Sequence, residues 1–229
     1  MRGTIWWDFD GTLVSRPRMW SGIGYRLITT HRPDINVSLE AVGEALRVGF
    51  PWHDHERDHL DLCDPELWWA AVCDRYVTLF ADLGWPDADR KALLPVIREH
   101  ILDCRAYTVF DDVVPVLNRL RSDGWRHLVV SNHIPELPAL VDGLGLGGSF
   151  EAVVTSALAG YEKPHGQLFA AARAQTTGDG PIWMVGDNPH ADCFGATRYG
   201  VRAVLVRTAE GFEPRCADLW GVCELLMQC

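Results

Sequence analysis

Apolar residues are concentrated in short runs along this chain, and the first run covers residues 4–9. It is rich in β-branched and aromatic side chains, which is typical of a buried strand. Between the later runs, apolar residues recur at the roughly 3.6-residue spacing of helices. The later strand-like runs lie at residues 125–130, 152–155, 182–185 and 203–206. Strands that alternate with helices predict an α/β fold built on a doubly wound parallel sheet.

A long stretch without strand-like runs interrupts this pattern after the first strand. Its apolar residues have helical spacing, and we predict helices that begin at Ser38, Asp64 and Asp87, because these side chains can cap a helix. The chain is therefore predicted to hold an inserted α-helical domain at residues 16–105 and one α/β domain made of residues 1–15 and 106–229.

Composition narrows the class of protein. The chain has 229 residues, enough for a sizeable core, and its net charge of −10 argues against a nucleic-acid or anionic-membrane partner. No apolar run approaches the roughly 20 residues of a membrane span. The first strand begins at residue 4, which leaves no room for a signal peptide, and the seven cysteines form no Cys-x-x-Cys pair. We expect buried free thiols and a cytoplasmic location.

Polar side chains follow three of the predicted strands, and a lysine lies in a loop before the fourth strand. They are Asp8 and Asp10, Ser131 and Asn132, Asp187 and Asp192, and the loop residue Lys163. The carboxyl ends of parallel strands share one edge of a sheet, where α/β folds bind ligands, so these residues can converge. Each pair by itself also has an ordinary explanation, such as a turn, a helix cap or a surface charge.

The string Asp8-Phe9-Asp10-Gly11-Thr12 is similar to the first motif of the haloacid dehalogenase (HAD) superfamily. The other polar groups resemble its remaining three motifs, in the same order and over nearly the whole chain. The resemblance implies a Rossmann-like core with a C1 cap, a helical insertion that closes over the active site and selects the substrate. Residues 16–105 match such a cap in placement and helicity alone.

The resemblance also implies a Mg²⁺-dependent phosphatase that acts on a small phosphate ester. Asp8 would attack phosphorus and form an aspartyl-phosphate, while Asp10 would protonate the leaving oxygen. Mg²⁺ would be held by the carboxylates of Asp8 and Asp187 and the backbone carbonyl of Asp10, with Asp192 supporting it directly or through water.

A second set of residues would bind the phosphoryl group and the substrate. Two of its members, Ser131 and Lys163, would also be catalytic, like Asp8 and Asp10. This set consists of Gly11, Thr12, Ser131, Asn132, His133 and Lys163. The Ser131 hydroxyl, backbone N–H groups near Asn132 and the Lys163 ammonium would hold the phosphoryl oxygens. Thr12 would orient Asp10. His133 either faces the substrate or packs under the cap.

Several alternatives stay open at this point. The substrate is phosphoglycolate, a sugar phosphate or a nucleoside monophosphate, and the protein is either a monomer or a homodimer. A phosphomutase would share every motif. A dehalogenase of the family lacks an acid at the position of Asp10, and a non-catalytic binding protein would normally have lost one of the motif residues.

Residues 53–59 of the insertion are rich in histidine and acids, and His55 and His59 have the i, i+4 spacing of a metal pair. No cysteine or second histidine pair completes such a site, so we favour a solvated loop or an exposed helix start. Trp68 and Trp69 either line the cleft or, as we favour, pack in the core.

Overall fold

A parallel sheet forms the frame of the molecule, whose computed structural model describes residues 2–228. The strands are β1 (Gly3–Trp7), β2 (Val14–Ser15), β3 (Thr108–Val109), β4 (Trp125–Ser131), β5 (Ala152–Thr155), β6 (Ile182–Gly186), β7 (Arg202–Val206) and β8 (Arg215–Cys216). Six of them pair in the order β5-β4-β1-β6-β7-β8, and every neighbouring pair in this sheet is parallel. The α/β class and the parallel sheet are therefore confirmed.

Helices cover the sheet and fill the insertion. The α-helices are α1 (Met19–His31), α2 (Leu39–Ala45), α3 (Pro65–Asp82), α4 (Asp87–Ala92), α5 (Leu94–Leu102), α6 (Val113–Ser122), α7 (Leu137–Gly143), α8 (Ser156–Ala159), α9 (Gly166–Gln175), α10 (Gly195–Arg198) and α11 (Leu219–Met227). Short 3₁₀-helices lie at Pro51–His53, Leu60–Leu62, Cys104–Ala106 and Gly147–Ser149, and a π-helical turn spans Pro189–Phe194. None of the helices within residues 2–228 is both long and apolar enough to span a membrane.

The two tryptophans of β1 show how helices cover both faces of the sheet. Trp6 and Trp7 are fully buried but belong to different apolar clusters, because successive strand side chains point to opposite faces. Trp7 shares its cluster with apolar residues of α6 and α11, and Trp6 shares its cluster with residues of α9 and α10. The sheet is therefore doubly wound, and β1 lies at its centre.

Helices α1 to α5 belong to the helical segment, as we call residues 16–105. Their buried side chains form a third apolar cluster, which includes Ile28, Trp68, Trp69 and Ile97, so the interpretation of the two tryptophans as core residues is confirmed. Ile134 and Ala157, from the sheet part of the chain, belong to the same cluster. The segment thus has a core of its own that continues into the surface of the sheet part.

Two of the three predicted helix caps are present. Ser38 Oγ accepts a hydrogen bond from the Ala41 N–H at 3.1 Å, and Asp64 Oδ1 accepts from the Glu66 N–H at 2.9 Å. The cap at Asp87 is wrong, because Pro86 precedes α4 and Asp87 is its first residue. The single helix expected there is two helices, since a proline in the first turn of α5 has no N–H with which to continue α4.

Some short elements were not predicted. We expected β7 to be the last strand, but β8 pairs beyond it, and α1 and α11 carry no capping pattern that we recognised. Strands β2 and β3 pair antiparallel through Val14–Val109 and Ser15–Thr108, which joins the two ends of the helical segment. Two residues are too few to show the alternation that identifies a strand.

The histidine-rich stretch is only partly solvated. His59 is buried, and its N–H donates to the Gly160 carbonyl at 2.8 Å, which fastens the stretch to the sheet part. The expectation of a solvated loop is therefore wrong for this residue.

The six cysteines within the described residues are free, and three of them, Cys73, Cys193 and Cys223, are buried. The other three are half-buried, so the expectation of buried thiols holds for half of this set. Cys229 lies outside the described residues.

Candidate active site

The predicted site residues meet at the carboxyl edge of the sheet. Asp8 directly follows β1, Ser131 is the last residue of β4, and Asp187 directly follows β6. Asp192 lies in the π-helical turn, and Lys163 enters from the loop between α8 and α9. Parallel pairing of β4, β1 and β6 places these strand ends side by side.

A tight turn after β1 lets both Asp8 and Asp10 border the site. The Phe9 carbonyl accepts hydrogen bonds from the N–H groups of Leu13 and Val14, at 2.9 and 3.1 Å, which folds the chain back. Gly11 has a φ of 78°, and a Cβ at this position would lie 2.3 Å from Asp187 Oδ2. The turn therefore requires glycine both for its backbone conformation and for the approach of Asp187.

Lys163 connects the acids of the site. Its buried Nζ donates to Asp8 Oδ1 and Asp192 Oδ1, both at 2.6 Å, and to the Val130 carbonyl at 2.9 Å. Ser131 Oγ donates to the same Asp8 Oδ1 at 2.9 Å. A hydroxyl and an ammonium thus converge on one oxygen of Asp8.

Asn132 has a role that we did not predict. Its Nδ2 donates to the Lys163 carbonyl at 3.0 Å, and its Oδ1 accepts from the Lys163 N–H at 2.6 Å. The side chain therefore positions the backbone of the lysine loop. The two residues are 31 positions apart, so no local sequence signal could have indicated this contact.

Three carboxylates of the site lie close enough together to bind one metal ion. Among residues 2–228, no other group of three or more His, Cys, Asp or Glu side chains does so. In this group, Asp8, Asp187 and Asp192, the ligand oxygens lie within 4.8 Å of one another. Burial, and then the charges of Asp8 and Asp192, raise the pKa of Asp187 to about 7. Burial also raises the pKa of Asp192 to about 6, although Lys163 opposes the rise.

The charge balance of this group fits a divalent cation. Burial by itself would lower the pKa of Lys163, but Asp192 and Asp8 outweigh it and raise that pKa, so the ammonium keeps its charge. One ammonium faces three carboxylates, and close carboxylates resist ionising together without further positive charge. Buried oxygen donors of this kind suit Mg²⁺.

Asp10 lies apart from the three carboxylates and faces His133. His133 Nε2 is 3.2 Å from Asp10 Oδ2, and the imidazole packs edge-on against Phe9 at 5.3 Å between ring centroids. His133 is buried and also lines the cavity over the site, and its role towards the substrate stays a prediction. The Asp10 side chain keeps 38% of its surface exposed.

Thr12 is buried beside this turn, but its hydroxyl makes no hydrogen bond within the described residues. It therefore does not orient Asp10 through its side chain in the way we expected. Its carbonyl accepts instead from Arg207 Nε at 3.1 Å, which ties the turn to the end of β7.

A cavity of about 330 Å³ opens over the site. The sheet part lines it with Asp10, Asn132, His133, Lys163, Pro164, Asn188, His190 and Ala191, and the helical segment lines it with Met19, Trp20, Trp52 and His55. A larger cavity of about 1050 Å³ lies within the helical segment and touches none of the predicted site residues. The smaller cavity is therefore the candidate substrate pocket.

Comparisons with known proteins agree on one family. A family model described as haloacid dehalogenase-like hydrolase matches residues 3–200. The phosphoglycolate phosphatase of Caulobacter vibrioides is 36% identical over 152 residues, which cover 61% of this chain and 62% of that protein.

Two solved structures share the fold. A HAD hydrolase from Bacillus subtilis, solved with magnesium bound, aligns with a TM-score of 0.74 at 17% identity over 99% of this chain and 100% of that chain. The 2-haloacid dehalogenase from Pseudomonas syringae aligns with a TM-score of 0.68 at 21% identity over 100% of this chain and 99% of that chain. At these identities the likeness concerns the fold alone.

Proposed function

Because this chain belongs to the haloacid dehalogenase-like hydrolases, we propose that it is a phosphatase that hydrolyses a small-molecule phosphomonoester. The observation that carries the proposal is the convergence of Ser131 Oγ and Lys163 Nζ on Asp8 Oδ1, at 2.9 and 2.6 Å. Groups this close to the carboxylate are within reach of the oxygens of a phosphoryl group that is bound to Asp8. The phosphatase name of the Caulobacter relative supports the same activity.

In the reaction we propose, an Asp8 oxygen bonds to phosphorus while the ester P–O bond breaks, leaving an aspartyl-phosphate. Asp10 gives its proton to the departing oxygen and later accepts one from the water that cleaves the aspartyl-phosphate. Lys163 offsets the charge of the phosphoryl oxygens and Ser131 orients them by a hydrogen bond throughout, since this chemistry depends mainly on positioning and charge.

Mg²⁺ is the cofactor that we propose for the group of Asp8, Asp187 and Asp192. Asp8, Asp187 and the carbonyl of Asp10 would hold it, and when bound it would offset the negative charge of the phosphoryl group. Both oxygens of Asp192 already accept hydrogen bonds, from Lys163 Nζ at 2.6 Å and from the Asn188 N–H at 3.0 Å. Asp192 therefore suits support through water better than direct coordination.

The rival activities use the same fold but different chemistry. A dehalogenase has no need of the acid at Asp10, which here lines the candidate pocket. A phosphomutase differs by transferring the phosphoryl group to a second hydroxyl rather than to water, so release of inorganic phosphate separates the two. A non-catalytic binding protein is disfavoured by the complete set of Asp8, Asp10, Lys163 and Asp187.

We also propose that the chain has two domains. The core consists of residues 1–15 and 106–229, and the C1 cap consists of residues 16–105. Lining of the pocket by Trp20 and Trp52 supports a cap that selects the substrate. We also propose a cytoplasmic location, supported by the free thiols of the described cysteines.

The decisive experiment is the substitution Asp8→Asn, which is nearly isosteric and removes the nucleophile. We expect no more than a trace of Mg²⁺-dependent phosphate release over a panel of phosphorylated metabolites, with an unchanged circular dichroism spectrum. The matched control Asp111→Asn changes an exposed acid and should keep full activity. Substantial phosphate release by Asp8→Asn would refute the proposal.

A further inference from the structure

Two adjacent tryptophans of the helical segment, Trp20 and Trp52, line the candidate pocket together with Asp10 and Lys163, and we call their surface the tryptophan wall. We infer that this wall selects a phosphomonoester whose leaving group carries a flat unsaturated ring and no second negative charge. The inference rests on the proposed phosphatase function and adds a substrate class to it.

The wall consists of aromatic surface that is only partly covered. Trp20 and Trp52 are half-buried, and their ring centroids lie 5.0 Å apart at an interplanar angle of 31°. Both rings border the same cavity as the phosphate-binding lysine. Two aromatic rings in offset-stacked or edge-to-face contact gain energy beyond the area they bury, and a saturated ring of similar size lacks this contribution.

The wall is fixed in place by its neighbours. Phe50, which is buried, stacks on Trp52 at 4.5 Å, and Trp68 lies within 6.4 Å of Trp20 and 6.2 Å of Trp52. The Tyr76 hydroxyl donates to the Trp20 carbonyl at 2.9 Å. A ligand ring therefore meets a surface that is already ordered, so little entropy is lost in arranging it.

The charges of the pocket disfavour a second anion on the substrate. Among the described residues that line it, Lys163 is the only lysine or arginine, and it is already bonded to Asp8 and Asp192. As Asp10 gives its proton to the leaving oxygen, its partly exposed carboxyl group becomes negative and would repel a second negative group on the substrate. A substrate with an uncharged leaving group needs no further basic side chain and is not repelled by Asp10.

Two histidines also line the pocket and suit polar substituents on such a ring. His55 of the helical segment and His190 after β6 face each other with ring centroids 5.6 Å apart. Their ring nitrogens can donate or accept hydrogen bonds, which neutral heteroatoms on a leaving group could use.

The test compares two esters that differ in the ring alone, benzyl phosphate and cyclohexylmethyl phosphate, both with alkoxide leaving groups. We expect kcat/KM of the wild-type enzyme with Mg²⁺ to favour benzyl phosphate by about 2- to 10-fold. Trp52→Leu and Trp20→Leu should each bring this ratio towards one, whereas Trp52→Phe, which keeps a ring, should retain it. Trp220→Leu changes an exposed tryptophan of α11 outside the pocket and serves as the matched control.

A second pair of esters tests the charge. Phosphoglycolate and 2-hydroxyethyl phosphate differ by a carboxylate in place of a hydroxymethyl group. We expect kcat/KM for phosphoglycolate to be about fivefold lower, the effect of like charges roughly 4 Å apart in water.

The outcomes separate this inference from the proposed function. Equal rates for the two ring esters, or a ratio that both leucine variants leave unchanged, would overturn the aromatic wall while phosphate release sustains the phosphatase. A preference for phosphoglycolate would overturn the charge argument. Absence of Mg²⁺-dependent phosphate release from all four esters and from acetyl phosphate would overturn the proposed function, and the inference with it.

Discussion

At the scale of single residues, two neighbouring aspartates have different surroundings. The Asp8 side chain is 11% exposed and bonded to Lys163, whereas the Asp10 side chain is 38% exposed and lies beside His133. A carboxylate held by an ammonium suits a nucleophile, and a carboxyl group open to the pocket suits proton transfer. This difference supports the separate roles that we propose for them.

Asp10→Asn tests the proton-transfer role. The variant keeps the backbone carbonyl assigned to Mg²⁺ but can neither give nor accept the proton, a contribution typically worth about 10²- to 10⁴-fold in rate. With nitrophenyl phosphate, whose leaving group needs little protonation, we expect a burst of about one phenolate per enzyme and then slow turnover, because the aspartyl-phosphate accumulates. Rapid mixing would show the burst, and mass spectrometry of quenched enzyme would show the adduct.

With an alkyl phosphate the first step itself should slow severely in Asp10→Asn, because an alkoxide needs the proton in order to leave. Equal slowing of the first step for both esters, with no adduct, would remove Asp10 from acid–base catalysis.

At the scale of an element, the turn after β1 combines a backbone requirement with a contact. Gly11 and Gly84 both have positive φ, at 78° and 76°, but a Cβ at Gly11 would meet Asp187, whereas a Cβ at Gly84 would meet nothing within 4 Å. A substitution at Gly84 therefore tests backbone strain alone, whereas the same substitution at Gly11 tests backbone strain together with a steric clash against Asp187.

We expect Gly11→Ala and Gly84→Ala each to lose about 1–2 kcal/mol of unfolding free energy from the left-handed backbone. Gly11→Ala should in addition lose most of its phosphatase activity, because Asp187 is displaced, while Gly84→Ala should keep it. Urea unfolding and steady-state phosphate release would measure the two effects. Full activity of Gly11→Ala would show that the turn tolerates a side chain.

The strand β4 contains a histidine that is buried in the neutral form. His127 Nδ1 accepts from Trp7 Nε1 at 3.0 Å, and its Nε2 lies 3.2 Å from the Leu117 carbonyl. Burial lowers the pKa of His127 from 6.5 to about 4. As the pH falls, the unfolded chain takes up this proton first, so the stability that neutral His127 contributes is present above pH 6.5 and is lost towards pH 4.

We expect wild-type protein to lose about 2 kcal/mol of unfolding free energy through His127 between pH 7 and pH 5. Glutamine does not titrate, so the unfolding free energy of His127→Gln should fall by about 2 kcal/mol less than that of wild type over the same pH interval. Urea unfolding at both pH values gives the difference, and His31→Gln, at an exposed histidine of α1, is the control. The same pH dependence in His127→Gln and wild type would contradict the assignment.

At the scale of the whole molecule, the helical segment is fastened to the sheet part beside the site. Glu136, which follows the Ser131-Asn132-His133 stretch, accepts hydrogen bonds from Arg98 Nη2 at 2.5 Å and from Trp69 Nε1 at 3.0 Å. Within the segment, Arg16 donates to the carbonyls of His100 and Ile101 at 2.5 and 2.7 Å, which ties its first residue to the end of α5. The hydrogen bonds of Glu136 thus join α3 and α5 to the sheet part a few residues from the candidate site.

Glu136→Ala should lower the unfolding free energy by about 1–3 kcal/mol, because a charged acceptor is lost and the buried Trp69 N–H is left without a partner. Glu66→Ala removes an exposed carboxylate 2.7 Å from the same Arg98, and we expect it to cost less than about 1 kcal/mol. Denaturant unfolding of the two variants is the measurement. Equal destabilisation by Glu136→Ala and Glu66→Ala would mean that Glu136 contributes no more than a partner in an exposed surface ion pair.

The sequence by itself determined the features that local chemistry encodes. Buried strands such as β1 and β6 need continuous apolar runs, and the helix starts at Ser38 and Asp64 need a capping side chain, so both are visible within a few residues. Asp8, Ser131 and Asp187 of the candidate site were visible for a similar reason, because each lies at the end of a strand, whereas Lys163 and Asp192 do not. The Asp87 cap was wrong because Pro86 precedes α4 and Asp87 is its first residue, and a proline at the start of α5 divides the helix expected there.

Only the tertiary structure decided which of these residues touch. Asn132 bonds to the backbone of Lys163, Gly11 makes room for Asp187, and Trp20 packs against Trp52 beside the pocket, yet in each pair the partners are far apart along the chain. Periodicity and capping report whether a position is buried and how its own segment begins. They contain no information on the distance between segments, which is set by the packing of helices on the sheet.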